Sequence, residues 1–201
     1  MSNPDQSALH FKVVTCGDLN VGKTSVIIRA TYDTYTDCAL PNAIDPDRFS
    51  LSLDDFEQPV VLDIFDTARR AYGELTTTFF RKADAALVFY SVDDSQSFEN
   101  VNKWVEKVHE SFASGDIQPI LYIVENKNDL RNDDDESLLT ITAGEDKAQE
   151  LNAKFESVSA KTGDNVSNLF LKVGIDCLQK PFVYLPLTPP VITGKKPDCN
   201  C

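Results

Sequence analysis

The strongest constraint on the fold lies close to the N-terminus. Residues 11–16 (FKVVTC) form a short apolar run rich in β-branched side chains, the pattern of a buried strand. Gly17-Asp18-Leu19-Asn20-Val21-Gly22-Lys23-Thr24 follows, and TSVIIRATY, beginning at Thr24, reads as a helix. The stretch fits G-x-x-x-x-G-K-[ST]. At that spacing backbone N–H groups wrap phosphate oxygens, the lysine offsets their charge and the hydroxyl ligates Mg²⁺. The glycines let the chain fold back tightly, and the start of the helix adds partial positive charge. Gly17, Asn20, Val21, Gly22, Lys23, Thr24 and Ser25 are therefore the expected phosphate-binding residues, with Thr24 also a metal ligand. An accidental glycine turn would not require a strand before it and a helix after it, and both are present.

The rest of the chain extends this unit. Residues 48–53 (RFSLSL) alternate like a half-buried strand, and the polar turn DDFEQ leads to a second run at 60–65, so the two are expected to pair as a hairpin. Further strands are expected at 85–92, 120–124 and 155–158, and helices at 95–112, 142–151 and 166–180. Strands alternating with helices imply an α/β fold: a six-stranded, mostly parallel sheet with one antiparallel edge strand and helices on both faces. The ligand is expected at the C-terminal ends of the strands.

The expected domain spans residues 11–180, after a flexible N-terminus at 1–10. With 201 residues, one domain is the natural count. Residues 181–201 hold five of the ten prolines and no helical pattern, and read as an extended tail. The net charge of −13 argues against DNA, RNA or a bare anionic membrane as partner. No run approaches 18 apolar residues, and MSNPDQSALH has no basic cluster or apolar core of a leader. Five irregularly spaced cysteines suggest reduced thiols of a cytoplasmic protein, with Cys16, Cys38 and Cys177 buried or incidental. His10 and His109 are isolated. The run 133–136 (DDDE) reads as a solvated loop rather than a metal site.

Nucleotide choice is suggested by Asn126-Lys127-Asn128-Asp129 at the end of a later strand. A carboxylate there accepts hydrogen bonds from guanine N1–H and its 2-amino group, and adenine offers no such pair of donors. Ser157-Val158-Ser159-Ala160-Lys161-Thr162-Gly163 comes further on. Together these elements resemble the Ras superfamily of small GTPases, and the Rab family most closely. The Rab resemblance rests on residues 61–68 (VLDIFDTA), 79–83 (FFRKA) and 97–104 (SFENVNKW), in shared order.

The resemblance implies that Asn126, Lys127 and Asp129 bind the guanine of GTP or GDP, supported by Ser159, Ala160 and Lys161, with the Ala160 N–H aimed at guanine O6. It places Tyr35 as an aromatic edge against the base, and gives Asp66 a hold on Mg²⁺ through water. Phe49, Phe65 and Phe79 fall near an aromatic surface triad offered to effectors, with core packing as the competing reading. Trp104, beside Val101 and Val108, is expected to be core. The resemblance further implies trafficking effectors, an exchange factor, and an escort or GDP-dissociation-inhibitor-like protein.

Three departures concern the third phosphate. Asn42 or Ala43 stands where the family's switch threonine is expected. Arg69 and Arg70 follow Asp66-Thr67-Ala68 where the family has Gly-Gln. A guanidinium only donates, so neither arginine can accept a proton from an attacking water as the glutamine's position requires. Leu19 occupies a place where the family prefers small residues. These losses predict slow or lost GTP hydrolysis, and the alternative is a non-catalytic, nucleotide-stabilised module. A phosphate-loop kinase or ATPase is disfavoured by NKND. The ending Cys199-Asn200-Cys201 resembles a doubly prenylated terminus, which implies membrane association on the cytosolic face of an endomembrane through two lipids.

Overall fold

The structure, a computed structural model, describes residues 8–35, 46–51, 59–67, 77–131 and 138–180. Its elements follow in the order β1 (Leu9–Gly17), α1 (Lys23–Tyr32), β2 (Asp47–Leu51), β3 (Val60–Asp66), α2 (Thr77–Phe80), β4 (Ala85–Ser91), α3 (Ser95–Glu99), α4 (Val101–Glu110), β5 (Ile120–Asn126), α5 (Ile141–Glu150), β6 (Lys154–Ser157) and α6 (Val166–Gln179). A 3₁₀ turn covers Asn128–Leu130.

The six strands form one sheet in the order β2-β3-β1-β4-β5-β6. β2 pairs antiparallel with β3, Phe49 opposite Leu62, and every other pairing is parallel. β4 is buried along its whole length, as a strand covered on both faces must be. One core lies between the sheet and α1 and α6, with Ile27, Leu62, Phe89 and Phe170 at its centre. The other lies under α2, α4 and α5, around Val88, Val105, Ile123 and Ala148. The expected α/β architecture, hairpin edge included, is the one observed.

The single helix expected over 95–112 is two helices. Asn100 closes α3 and opens α4, and its N–H reaches Gln96 and Phe98 carbonyls. The Asp94 carboxylate accepts from the Ser97 N–H and starts α3, so a capping residue sets the first helix and an asparagine joins it to the second. α2 was not expected from the sequence; four residues are too few for periodicity to reveal. No described helix is long and apolar enough to cross a membrane. The N-terminal residues 1–7, the switch positions Asn42, Ala43, Arg69 and Arg70, the acidic run 133–136, Cys38 and the tail with Cys199 and Cys201 lie outside the described residues.

Candidate nucleotide-binding site

The register of the sheet gathers the sequence motifs at one edge. Thr15 lies opposite Asp66, Gly17 opposite Phe89, Ser91 opposite Asn126 and Glu125 opposite Ser157. The C-terminal ends of β3, β1, β4, β5 and β6 therefore follow one another along one side of the sheet, and the loops after β1 and β5 meet there.

At the phosphate end the backbone is specialised. Gly17 has φ 135°, and a Cβ there would lie 2.3 Å from the Phe89 carbonyl oxygen. Gly22 has φ 90°, and a Cβ there would meet the Asn126 amide nitrogen at 2.2 Å. Neither position admits a side chain. Asn20 adopts a left-handed conformation at φ 59°, which asparagine tolerates better than most residues. α1 starts directly after Gly22 with no side-chain cap and no acidic residue in its first turn. Its first N–H groups therefore point into the cleft with the positive end of the helix, an arrangement that suits an anion.

Lys23 is buried, and its ammonium donates to the Gly17 carbonyl at 2.9 Å and the Asp18 carbonyl at 2.5 Å. Burial pushes the ammonium below the usual lysine range, against the attraction of Asp66. The Thr24 hydroxyl donates to the Asp66 carboxylate at 2.5 Å. A hydroxyl and a carboxylate converging beside a lysine and a helix N-terminus fit Mg²⁺ and phosphate oxygens. The hard cation takes oxygen ligands, and the backbone cradle takes the anion. Leu19 is 54% exposed at the lip of the loop.

At the base end the structure brings the motifs together, with one departure: the Ala160 N–H, expected to face guanine O6, is turned onto Asn126. The Asn126 amide donates to the Val21 carbonyl at 2.8 Å and its oxygen accepts from the Ala160 N–H at 3.1 Å. One buried side chain thus links the phosphate loop to the Ser159–Lys161 loop. Asp129 accepts from the Ser159 hydroxyl at 2.6 Å, with the Lys161 ammonium 3.7 Å away. Lys127 stands at φ 64° and pairs with Asp93 at 3.1 and 3.2 Å. Burial would raise the Asp93 carboxyl, but the Ser91 hydroxyl and Lys127 outweigh it and hold the group below its usual range. These loops surround a pocket of about 410 Å³ whose wall includes Gly22, Ser25, Tyr35, Asn126, Asp129 and Ala160. Its lining includes an acceptor carboxylate and an aromatic residue, the groups that a flat heterocycle with donors at one edge requires.

Three contributors were not read from the sequence. Arg29, in the last turn of α1, donates to the Ala160 carbonyl through Nε and to the Lys161 carbonyl through a terminal nitrogen, both at 2.9 Å. It fastens the base loop to the helix that starts the phosphate site. Glu125, fully buried just before Asn126, accepts from Tyr90 at 2.8 Å, Ser157 at 2.7 Å and Arg131 at 2.6 Å. Burial and the Glu125 carboxylate push the Tyr90 hydroxyl far above its usual range, so it remains a donor. An acid at the end of an apolar strand was the available signal, because a buried charge demands partners. The third contributor is the set of partners around Asp18, described below.

Of the two readings of Phe49, Phe65 and Phe79, core packing is the one observed, and the reading of Trp104 as core is corrected in part. Phe49 packs on the α1–α6 core, 5.4 Å from the Phe170 ring, while Phe65 and Phe79 meet edge to face at 6.2 Å beside the other core. The three do not form one patch, because Phe49 is carried on the sheet face opposite to Phe65. Trp104 is only partly core: it is partly buried against the cluster that holds Val101 and Val105, and its indole N–H donates to Asp18. Cys16 and Cys177 are free and buried, as expected.

A glycine-rich loop and lysine at the end of the first strand, beside a pocket whose lining includes the Asp129 carboxylate, define a phosphate-loop nucleotide-binding protein. The family model described as the Ras family matches residues 12–179, most of the chain. The chain belongs to the Ras family of small GTPases, which bind GTP and GDP with Mg²⁺.

Proposed function

We propose that this GTPase is a divergent member of the Rab type, acting in intracellular vesicle trafficking, with slow GTP hydrolysis. The Rab assignment rests on VLDIFDTA, FFRKA and SFENVNKW, and on the Cys199-Asn200-Cys201 ending. In this reading Asp129 takes the donor edge of guanine, Asn126 braces the pocket, and Lys127 and Tyr35 flank the base. Lys23 and the N–H groups of residues 20–25 hold the phosphates. When bound, Mg²⁺ offsets phosphate charge, with Thr24 as its ligand and Asp66 holding it through water.

The observation that carries slow turnover is the pair Arg69-Arg70 standing where the family has Gly-Gln, beside an intact set of base-binding residues. The glutamine's task is to orient the attacking water, and a donor-only guanidinium does not do it. Asn42 or Ala43 in place of the switch threonine favours the second reading, a module that holds nucleotide without turning it over. Effectors, an exchange factor and an escort or GDP-dissociation-inhibitor-like protein are the expected partners, with two prenyl groups anchoring an acidic domain that charge alone would not hold on a membrane.

Chromatography of the nucleotide released from purified protein tests the reading. Retained GTP is the expected result. GTP turnover at the usual intrinsic rate of small GTPases, unchanged in an Arg69→Ala, Arg70→Ala double variant, would overturn slow hydrolysis, and ATP would overturn guanine selectivity. Membrane retention of a Cys199→Ser, Cys201→Ser variant equal to wild type would overturn lipid anchoring.

A further inference from the structure

The phosphate-loop residue Asp18 is held from both ends. One carboxylate oxygen accepts from the Trp104 indole N–H at 2.7 Å, and the other from the Asn100 amide at 2.6 Å. Its backbone carbonyl accepts from the Lys23 ammonium at 2.5 Å. Asn100 and Trp104 are four residues apart, so both face the loop from one side of the helix. The Asn100 side-chain oxygen Oδ1 accepts from the Lys103 ammonium at 2.8 Å, which leaves the amide donors to face Asp18. α4 is anchored by Val101, Val105 and Val108 in the core, and the Lys107 ammonium sits 4.3 Å over the Trp104 ring. The clamp is thus carried by a packed helix rather than by a loop.

We propose that Trp104 and Asn100 are positioning residues for the phosphate-binding lysine: they fix Asp18, whose carbonyl aims the Lys23 ammonium into the cleft. The inference rests on the site reading above. Lys23 has two carbonyl partners, Gly17 and Asp18. The Gly17 carbonyl belongs to β1, so Asp18 is the partner whose direction depends on something outside the strand. The two donors also offset and turn aside a carboxylate that would otherwise stand next to an anion. This accounts for the SFENVNKW segment, which supplies both donors and which the base-binding and metal-binding roles leave unused.

The test compares GDP with GMP, because only GDP presents a β-phosphate to Lys23. In the full chain, Trp104→Phe keeps an aromatic ring and removes the N–H. It is expected to weaken GDP about tenfold and leave GMP unchanged, in equilibrium titrations with Mg²⁺. Asn100→Ala, which keeps the indole, is expected to lower the GDP-to-GMP ratio about threefold, and decides the matter if Trp104→Phe does not fold. Trp104 is the chain's one tryptophan, so its emission is expected to shift on adding GDP and not on adding GMP. Equal loss of GDP and GMP affinity, or no loss of either, would reduce the clamp to a structural contact and overturn the proposal. If wild type bound neither nucleotide, the site reading itself would fall, and this inference with it.

Discussion

The base end of the cleft is held by side chains that bond one another, whereas the two residues expected to meet phosphate and metal, Lys23 and Thr24, bond their own surroundings on a loop that Asn100 and Trp104 brace from outside. Asn126 reaches both neighbouring loops, and Ser159 and Lys161 attend Asp129. Across the cleft, Lys23 turns onto the carbonyls of its loop and Thr24 onto Asp66, while α1 starts without a side-chain cap. The base end is complete as a set of hydrogen bonds. The phosphate end gathers positive charge that an anion would complete. Recognition of the base therefore depends on preformed geometry, and the hold on phosphate depends on charge.

The comparison is most severely tested from beneath the base loop. Glu125 is a fully buried acid with three donors around it, Arg131 among them. Removing one partner of a buried ion pair typically costs about 3–5 kcal/mol because the other charge is left unpaired. Glu125→Ala leaves the buried Tyr90 hydroxyl unpaired and Arg131, 26% exposed, without its acid, and should lower unfolding free energy by about 3 kcal/mol, the low end of that range, in denaturant titration. A loss under about 1 kcal/mol would mean that the base end is not braced from below.

Asn126→Ala should have the next largest effect. It strands the Val21 carbonyl and the Ala160 N–H and loosens both loops. Two such bonds at about 1–1.5 kcal/mol each correspond to roughly a hundredfold weaker GDP binding. GDP and GMP should suffer alike, unlike the phosphate-specific loss expected of Trp104→Phe. A GDP-specific loss would erase the distinction between the two ends.

Thr24→Val isolates the metal side of the phosphate end. The hydroxyl that donates to Asp66 is removed with little change in shape. GDP affinity in Mg²⁺ should fall about tenfold, near 1.4 kcal/mol, to the level wild type shows with chelator, and the variant should no longer respond to chelator. A variant that still responds fully would show that Thr24 is not a metal ligand.

The parts of this cleft that the sequence displayed share a property: each is a local run with a fixed spacing. The Gly17–Thr24 loop, the Asn126–Asp129 turn and the strand alternation at 48–53 and 60–65 could be read because neighbours in sequence act together. The Asp18 clamp spans 82 and 86 positions and the Arg29 bonds 131 and 132, and no local pattern encodes partners so distant. Trp104 shows the limit well. Its apolar helical spacing pointed to the core, and its ring does pack there, but the polar edge of an indole follows whichever acceptor the tertiary fold brings to it. The surface reading of Phe49 failed differently. Strand period alone does not decide which sheet face a residue takes until the register is known, and pairing with Leu62 sets it on the α1–α6 side.

The smallest expected effect reads the phosphate end from below. Cys16 sits in β1 next to Gly17, fully buried, and burial pushes its thiol up from its ordinary value to about 12. In the unfolded chain the thiol ionises near its ordinary value, so above about pH 9 the unfolded state sheds a proton that the folded state keeps. Stability conferred by the neutral thiol is thus complete below pH 9 and declines as pH rises toward 12. By pH 9.5 the loss should be about 1 kcal/mol, from roughly 1.4 kcal/mol per pH unit once the unfolded thiol is ionised. Denaturant titrations at pH 8 and pH 9.5 in wild type and Cys16→Ala measure it as the difference between their slopes with pH, which cancels other alkaline groups and the cost of the substitution. An identical slope in both proteins would mean that water reaches the strand beneath the phosphate loop, and that this end of the cleft is no drier than its rim.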